Sequence, residues 1–367
     1  MVNFWWIAIT GRRVSLSLWI AALVAAYMFG ICWKSKLQFA RLNTLVLAQP
    51  AAGSSTLVIM PARNEARNIA RCLDSLRGQS ILVANDSSSD NTKQVAVEKG
   101  ATVINVPPLL AVQNPKSAAC LAGAKGATAR WLLFVDADTW FEPGFVGAIV
   151  AHAEENRLDV VSAILDPKCG MPWEHAMVPY WNGVVFGSID VDAVHSIQLQ
   201  QLLAYGQCIL FRTEAYDFTG GHRIVVRNHA DDIGIARVIK RHRLQYELVR
   251  AEHLGHYSPG PALWTTYKRT IYDFFSMNPA TVTLQSVVTL ILMACWGPAI
   301  WYLWYEEEDF AAYVLAGLPV LATLVWYRNP LRAILAPAGI YLVALVALHS
   351  LLTHLFGLSH SWKGRKI

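Results

Sequence analysis

Between about residues 54 and 260 the sequence predicts an α/β fold with a mostly parallel, mixed sheet, and three observations carry that prediction. Short β-rich runs alternate with helix-patterned stretches, the order expected of a sheet with helices on both faces. The runs are apolar throughout, as strands buried on both faces are. Three of them end in carboxylates, at the strand ends where ligands of such sheets bind.

The first predicted strand spans 56–60 and ends in Pro61-Ala62-Arg63-Asn64-Glu65. Ile69, Cys72, Leu73 and Leu76 then recur at helical spacing. A second strand at 81–85 runs into Asn85-Asp86-Ser87-Ser88-Ser89-Asp90, and a third is predicted at 102–106. The Ala-rich stretch 117–128 reads as helix, and the apolar run 131–135 ends in Asp136-Ala137-Asp138. Solvated loop ends carry mixed polar residues; three acidic ends on one sheet edge point to a shared site.

Outside this region the composition changes. The chain is 54% hydrophobic and only 16% charged, and the apolar excess sits in uncharged runs at 14–33, 282–304, 310–327 and 333–358. Each is about the length that crosses a hydrocarbon core of roughly 30 Å, with Trp and Tyr near the ends as interface anchors. The expected plan is an N-terminal membrane anchor over 1–50, a catalytic domain over 54–260, an interfacial helix over 261–278 and a C-terminal transmembrane region over 279–367. Residues 14–33 also resemble a signal peptide, but they lack a small-residue cleavage site and run on into Trp33-Lys34.

Lys34, Lys36 and Arg41 place the catalytic domain on the cytoplasmic face of a multi-pass protein of the cell inner membrane. Arg12, Arg13, Lys363, Arg365 and Lys366 then violate the positive-inside rule, so one run is re-entrant or interfacial. The formal charge of +5 suits contact with anionic lipid. No dense basic patch with interleaved aromatics suggests nucleic acid. The six cysteines are scattered without a C-x-x-C pair and read as reduced.

Asp-x-Asp directly after a buried strand is suited to a hard divalent cation that shares its shell with a diphosphate. Taken in order, the Pro61–Glu65 turn, the Asn85–Asp90 loop with Asn91-Thr92, and Asp136-Ala137-Asp138 resemble the family 2 glycosyltransferases, over roughly residues 55 to 260. That resemblance implies a GT-A-type nucleotide-sugar-binding domain. It implies that Pro61, Arg63 and Glu65 cradle the nucleoside and that Asp86 hydrogen-bonds the base. Lys116, in Asn114-Pro115-Lys116-Ser117-Ala118-Ala119, would approach the phosphates. Asp136 would meet the ribose or metal, and Asp138 would ligate Mn2+ or Mg2+.

In Ala230-Asp231-Asp232-Ile233-Gly234 the resemblance makes Asp232 the base that deprotonates the acceptor. Burial would raise its pKa toward that task. An Asp at a helix start also suits an N-cap, and Asp231 fits that role. Gly206, before the run to Arg212, either lets backbone approach a sugar or marks a bulged strand. His256 would reach the metal or diphosphate, or act as a plain hydrogen-bonder; His222, His229 and His253 suit the second description.

No Gln-x-x-Arg-Trp motif of processive members follows the base; the nearest stretch is Trp264-Thr265-Thr266-Tyr267-Lys268-Arg269. Transfer of single sugars is therefore expected. The aromatic stripe of 261–277 would set the acceptor site at the membrane surface, making the acceptor a lipid or isoprenoid. The layout resembles the carotenoid- and hopanoid-associated glycosyltransferases of bacteria. A membrane nucleotidyl- or phosphosugar-transferase, or an inactive nucleotide-sugar-binding scaffold, are the rival readings.

Overall fold

The apolar runs do form a sheet. The computed structural model describes residues 16–108, 113–199, 201–228, 230–260, 263–277 and 334–358, with 301, 304, 305, 324, 361, 362, 365 and 366. The first half contains helix α1 (Leu16–Ala40), β1 (Thr56–Ala62), α2 (Ile69–Ser75), β2 (Ser80–Asn85), α3 (Thr92–Glu98), β3 (Thr102–Asn105) and α4 (Pro115–Ala124). Next come β4 (Trp131–Val135), β5 (Thr139–Phe141), α5 (Phe145–Glu155), β6 (Val160–Ile164), β7 (Asp166–Pro167), α6 (Pro172–Ser188) and α7 (Val191–His195). The second half adds β8 (Cys208–Arg212), α8 (Thr213–Thr219), α9 (Gly221–Val225), α10 (Asp231–Arg241), β9 (Tyr246–Arg250) and β10 (Gly255–Tyr257). Helices α11 (Leu263–Met277) and α12 (Ala336–Leu355) follow.

The main sheet has the order β3-β2-β1-β4-β8-β6-β9. Strand β8 alone runs against its neighbours β4 and β6, so the sheet is mixed and mostly parallel. Every residue of β4 is buried, which is what its unbroken apolar run requires. Val58, Met60, Leu133 and Val135 share a core with Ile69, Leu73, Phe145 and Ile149. Burying each such side chain stabilises the fold by about 1.5–3 kcal/mol.

Strand β1 continues two residues past the expected end, through Pro61. Pairing with β4 stops at Ile59–Phe134, whereas pairing with β2 continues to Ala62–Asn85. Pro61 therefore sits where its missing N–H leaves no β4 partner wanting. Helix α4 starts earlier than expected, with Pro115 in its first turn and Asn114 as N-cap, whose side chain accepts from the Lys116 and Ser117 amides.

The chain divides into two units. The sheet unit comprises Ala40–Gly170, Ile189–Asp273 and Thr353–Ile367. The other comprises Met1–Phe39, Met171–Ser188 and Phe274–Leu352. Within that helical unit Phe39 meets Phe186 edge-on at 5.2 Å. Gly187 lies against Ile31, and Gly339 against the backbone of Ala176, at spacings too close for a side chain. Among the described residues no helix is long and apolar enough to cross a membrane. The runs 282–304 and 310–327 lie almost wholly outside the described residues.

Candidate active site

The loops after β1 and β2 are latched to each other. The Glu65 amide donates to Thr92 Oγ1 (2.7 Å), the Ala66 amide to Asp90 Oδ2 (3.1 Å) and the Asn64 amide to Ser88 Oγ (3.1 Å). The Ser89 amide returns a bond to Asn64 Oδ1 at 2.9 Å. Asn64 and Ser87 both adopt the left-handed conformation, with φ of 53° and 50°. Such backbone persists where its surroundings over-determine it, and does so most often at functional sites. Arg63 donates to the Asp86 carbonyl at 2.7 Å and stands 3.6 Å from its carboxylate, which is 1% exposed. Pro61, Arg63, Glu65 and Asp86 thus line one preformed edge.

Beyond β4 the chain turns sharply at Asp136-Ala137-Asp138. The Thr139 amide and hydroxyl both donate to the Asp136 carbonyl, at 3.2 and 2.7 Å. The turn feeds a small sheet ordered β5-β10-β7, and the Ser258 amide donates to the Asp138 carbonyl at 3.0 Å. His256, opposite Trp140 in β10, has Nε2 3.3 Å from Glu142 and Nδ1 3.5 Å from Asp166. It lies between two carboxylates, with Nε2 hydrogen-bonded to Glu142 and Nδ1 buried without a hydrogen bond among the described residues. His222 is buried and bonded to Tyr216, its pKa lowered by burial to about 4. His253 is exposed, and His229 lies outside the described residues.

Lys116 ties the two halves together. Its Nζ is 2.8 Å from Asp136 Oδ1, 3.1 Å from Asp231 Oδ2 and 3.0 Å from the Gly206 carbonyl. An ammonium has three donors, and here each has an acceptor. Lys116 is therefore a tether between strand end and helix start. Asp231 is likewise not the N-cap: Ala230 occupies that position, and Asp231 is the first helical residue with its carboxylate turned to Lys116. A Cβ on Gly206 would lie 3.1 Å from Asp232 Cβ, and 3.3 Å from both Asp231 Oδ2 and Lys116 Nζ. The glycine makes room for the acidic pair.

Burial and mutual repulsion set the charges. Asp232 is raised to about 7 by burial and by the neighbouring Asp231. Its Oδ1 accepts from the Ile233 amide at 2.8 Å. Asp138 is raised to about 7 by burial and by Asp136. Burial would raise Asp231 too, but Lys116, Arg269 and His222 together hold it below the usual range. Burial would lower Lys116, yet Asp136 and Asp231 keep its pKa above the ordinary lysine value.

Neither Asp138 nor Asp232 has an ion-pair partner among the described residues, so these are the two carboxylates left open. Among those residues no group of three or more His, Cys, Asp or Glu could hold a metal unaided. Mg2+-type ions bind through one or two carboxylates and complete their shell with substrate phosphates. Four carboxylates here face Lys116 and Arg269, a formal shortage of positive charge that one divalent ion would offset. Asp138, with Asp136 behind it, fits such an ion.

The strand ends of this mixed sheet thus gather latched loops, an Asp-x-Asp turn and an acidic helix start. Residues 57–219 match the sequence model of Glycosyl transferase family 2. The chain is 28% identical over 202 residues to a 4,4'-diaponeurosporenoate glycosyltransferase of Staphylococcus haemolyticus, covering 52% of each chain. To the Staphylococcus aureus (strain bovine RF122 / ET3-1) protein of that name it is 39% identical over 196 residues, 47% of this chain and 48% of that one. The chain thus spans about half the length of the curated relatives it matches. A mannosyltransferase from Pyrobaculum calidifontis, solved with GDP-Man and Mn2+, shares the fold with a TM-score of 0.55 at 17% identity, over 91% of this chain and 99% of that one.

Three functional features were not read from sequence: the Lys116–Asp231 pair, the steric role of Gly206 and the approach of Arg269. The adjacency of Asp231 and Asp232 was a usable signal for the first, since two buried neighbouring carboxylates need a cation.

Proposed function

We propose that this chain transfers single sugars from a nucleotide-sugar, a UDP-sugar in the simplest case, to a lipid or isoprenoid acceptor at a membrane, with inversion and with Mn2+ or Mg2+. The observation that carries the proposal is Asp232: a carboxylate without an ion-pair partner among the described residues, poised at about 7, next to Asp231, which Lys116 ties to the Asp-x-Asp turn. A base works best when its pKa lies near the operating pH.

Pro61, Arg63, Glu65 and Asp86 hold the nucleoside, and the latch between their loops lowers the ordering cost of binding. Asp138 and Asp136 hold the divalent ion, which when bound neutralises charge on the departing nucleoside diphosphate. Asp232 accepts the proton of the acceptor hydroxyl, whose oxygen attacks the anomeric carbon from the face opposite the leaving group. One displacement inverts that carbon. The staphylococcal relatives, by their name, support an isoprenoid-type acceptor.

Membrane attachment, with the sheet unit cytoplasmic at the cell inner membrane, is supported by exposed apolar side chains of the helical unit. These include Trp19, Leu23, Phe29 and Trp33 on α1, and Leu345 and Leu348 on α12. The anomeric configuration of the product, read by NMR, tests the mechanism. Inversion relative to the donor is expected; retention would exclude the single displacement.

A further inference from the structure

One buried acceptor beside the acidic pair has no donor among the described residues. Gln207 stands between Gly206 and β8, and its backbone carbonyl accepts the Asp136 amide at 3.1 Å. Val135 pairs with Cys208 across β4 and β8, so Gln207 lies at the strand end from which the Asp-x-Asp turn departs. Its side-chain amide reaches the Tyr257 hydroxyl of β10, while its Oε1 is buried without a hydrogen bond. Lys116 cannot serve that oxygen, because its three donors are taken by the Gly206 carbonyl, Asp136 and Asp231. Buried polar atoms in folded proteins nearly always find a partner. One left alone costs more than a hydrogen bond normally contributes.

We infer that Gln207 is a specificity-determining residue whose Oε1 accepts a hydrogen bond from a hydroxyl of the transferred sugar. The inference rests on the transferase reading and deepens it. In a single displacement the sugar lies between the leaving diphosphate and the base that activates the acceptor. Gln207 bonds the first residue of the Asp-x-Asp turn on one side, and on the other adjoins Gly206, which Asp232 faces. It therefore stands beside the path of the sugar. A hydroxyl is the chemistry that fits: Oε1 needs a donor, and Asp136, Asp231 and Asp232 would repel an anion. Oε1 is already buried, so meeting a sugar hydroxyl costs it no further desolvation. The hydroxyl then counts for more than one bound at an exposed site.

The test uses the full chain in detergent with Mn2+, wild type against Gln207→Met and Gln207→Glu. UDP-glucose and GDP-mannose are titrated by calorimetry. Whichever binds is then compared with its free nucleoside diphosphate and with monodeoxy analogues of its sugar, one for each hydroxyl. In wild type one analogue should bind roughly 10- to 100-fold more weakly than the parent, as when a buried acceptor is denied its donor. In Gln207→Met the parent should weaken by that same factor and match that analogue, with binding of the nucleoside diphosphate unchanged. Gln207→Glu keeps an oxygen at that reach and should keep the preference.

The matched loss is what a merely structural glutamine would not give. If Gln207→Met still discriminates against the same analogue as wild type does, the assignment is overturned and the transferase reading stands. Equal weakening of every ligand, the free nucleoside diphosphate included, would overturn it as well. A wild-type protein that binds neither nucleotide-sugar would overturn both.

Discussion

Replacing Asp232 by asparagine should remove activity and, above neutral pH, make the protein more stable. The side chain rises from an ordinary 3.8 to about 7 on folding, chiefly through burial and then through Asp231. Raised in this way, its contribution to stability is full below the unfolded value and is lost as pH climbs toward 7. At 1.36 kcal/mol per pH unit the loss reaches a ceiling of roughly 4 kcal/mol. Asparagine keeps the shape and carries no charge to desolvate, but its amide must still find hydrogen bonds, which leaves a net gain on the order of 2 kcal/mol. Thermal melting of the detergent-solubilised chain, from pH 5 to pH 8, reads this directly. The advantage of Asp232→Asn should widen steadily across that range and then level off, while sugar transfer is lost at every pH. An advantage that stays flat with pH, or a variant that still turns over, would refute the reasoning.

Lys116→Met should cost roughly 3–5 kcal/mol, the usual penalty for stranding buried carboxylates, measurable by denaturant unfolding; adding Asp231→Asn should restore part of it. Gly206→Ala places a methyl 3.1 Å from Asp232 Cβ, so kcat should fall on the order of 100-fold with donor KM little changed, a displaced base costing rate before binding. Because Asp138 sits at about 7, the Mn2+ concentration for half-maximal activity should rise as pH drops below that value, by about tenfold per unit at the limit. Asp138→Asn should flatten that dependence. Carbonate washing of membranes should leave the protein in the pellet; release into the supernatant would count against membrane attachment.

The strands of the sheet were legible because burial on both faces leaves no room for polar alternation, so β1, β2 and β4 stand out as apolar runs. Their acidic ends were legible for the opposite reason: a sheet edge facing solvent does not otherwise need Asp86, Asp136 and Asp138 in register. What was hidden lay in contacts between residues far apart in sequence. Lys116 and Asp231 meet only because α4 and α10 start beside the same strand end, and the adjacent Asp232 was the one local sign that Asp231 needs a cation rather than caps the helix. Arg269 falls off the apolar stripe of Leu263, Tyr267 and Ile271, so periodicity assigns it to solvent, yet it is buried. The loop latch escaped notice because Ser88, Asp90 and Thr92 are ordinary turn residues until the facing loop supplies their partners.

The central claim is that Asp138 and Asp232 serve one sugar transfer, the first with a divalent ion and the second as base. Membranes holding the chain, supplied with labelled UDP-glucose and a total lipid extract, measure it most directly, with parallel GDP-mannose reactions fixing the donor. Label should enter lipid with Mn2+ present, and should vanish in Asp138→Ala, in Asp232→Asn and on chelation. Lipid label that survives in Asp232→Asn, or that needs no divalent ion, would contradict the account.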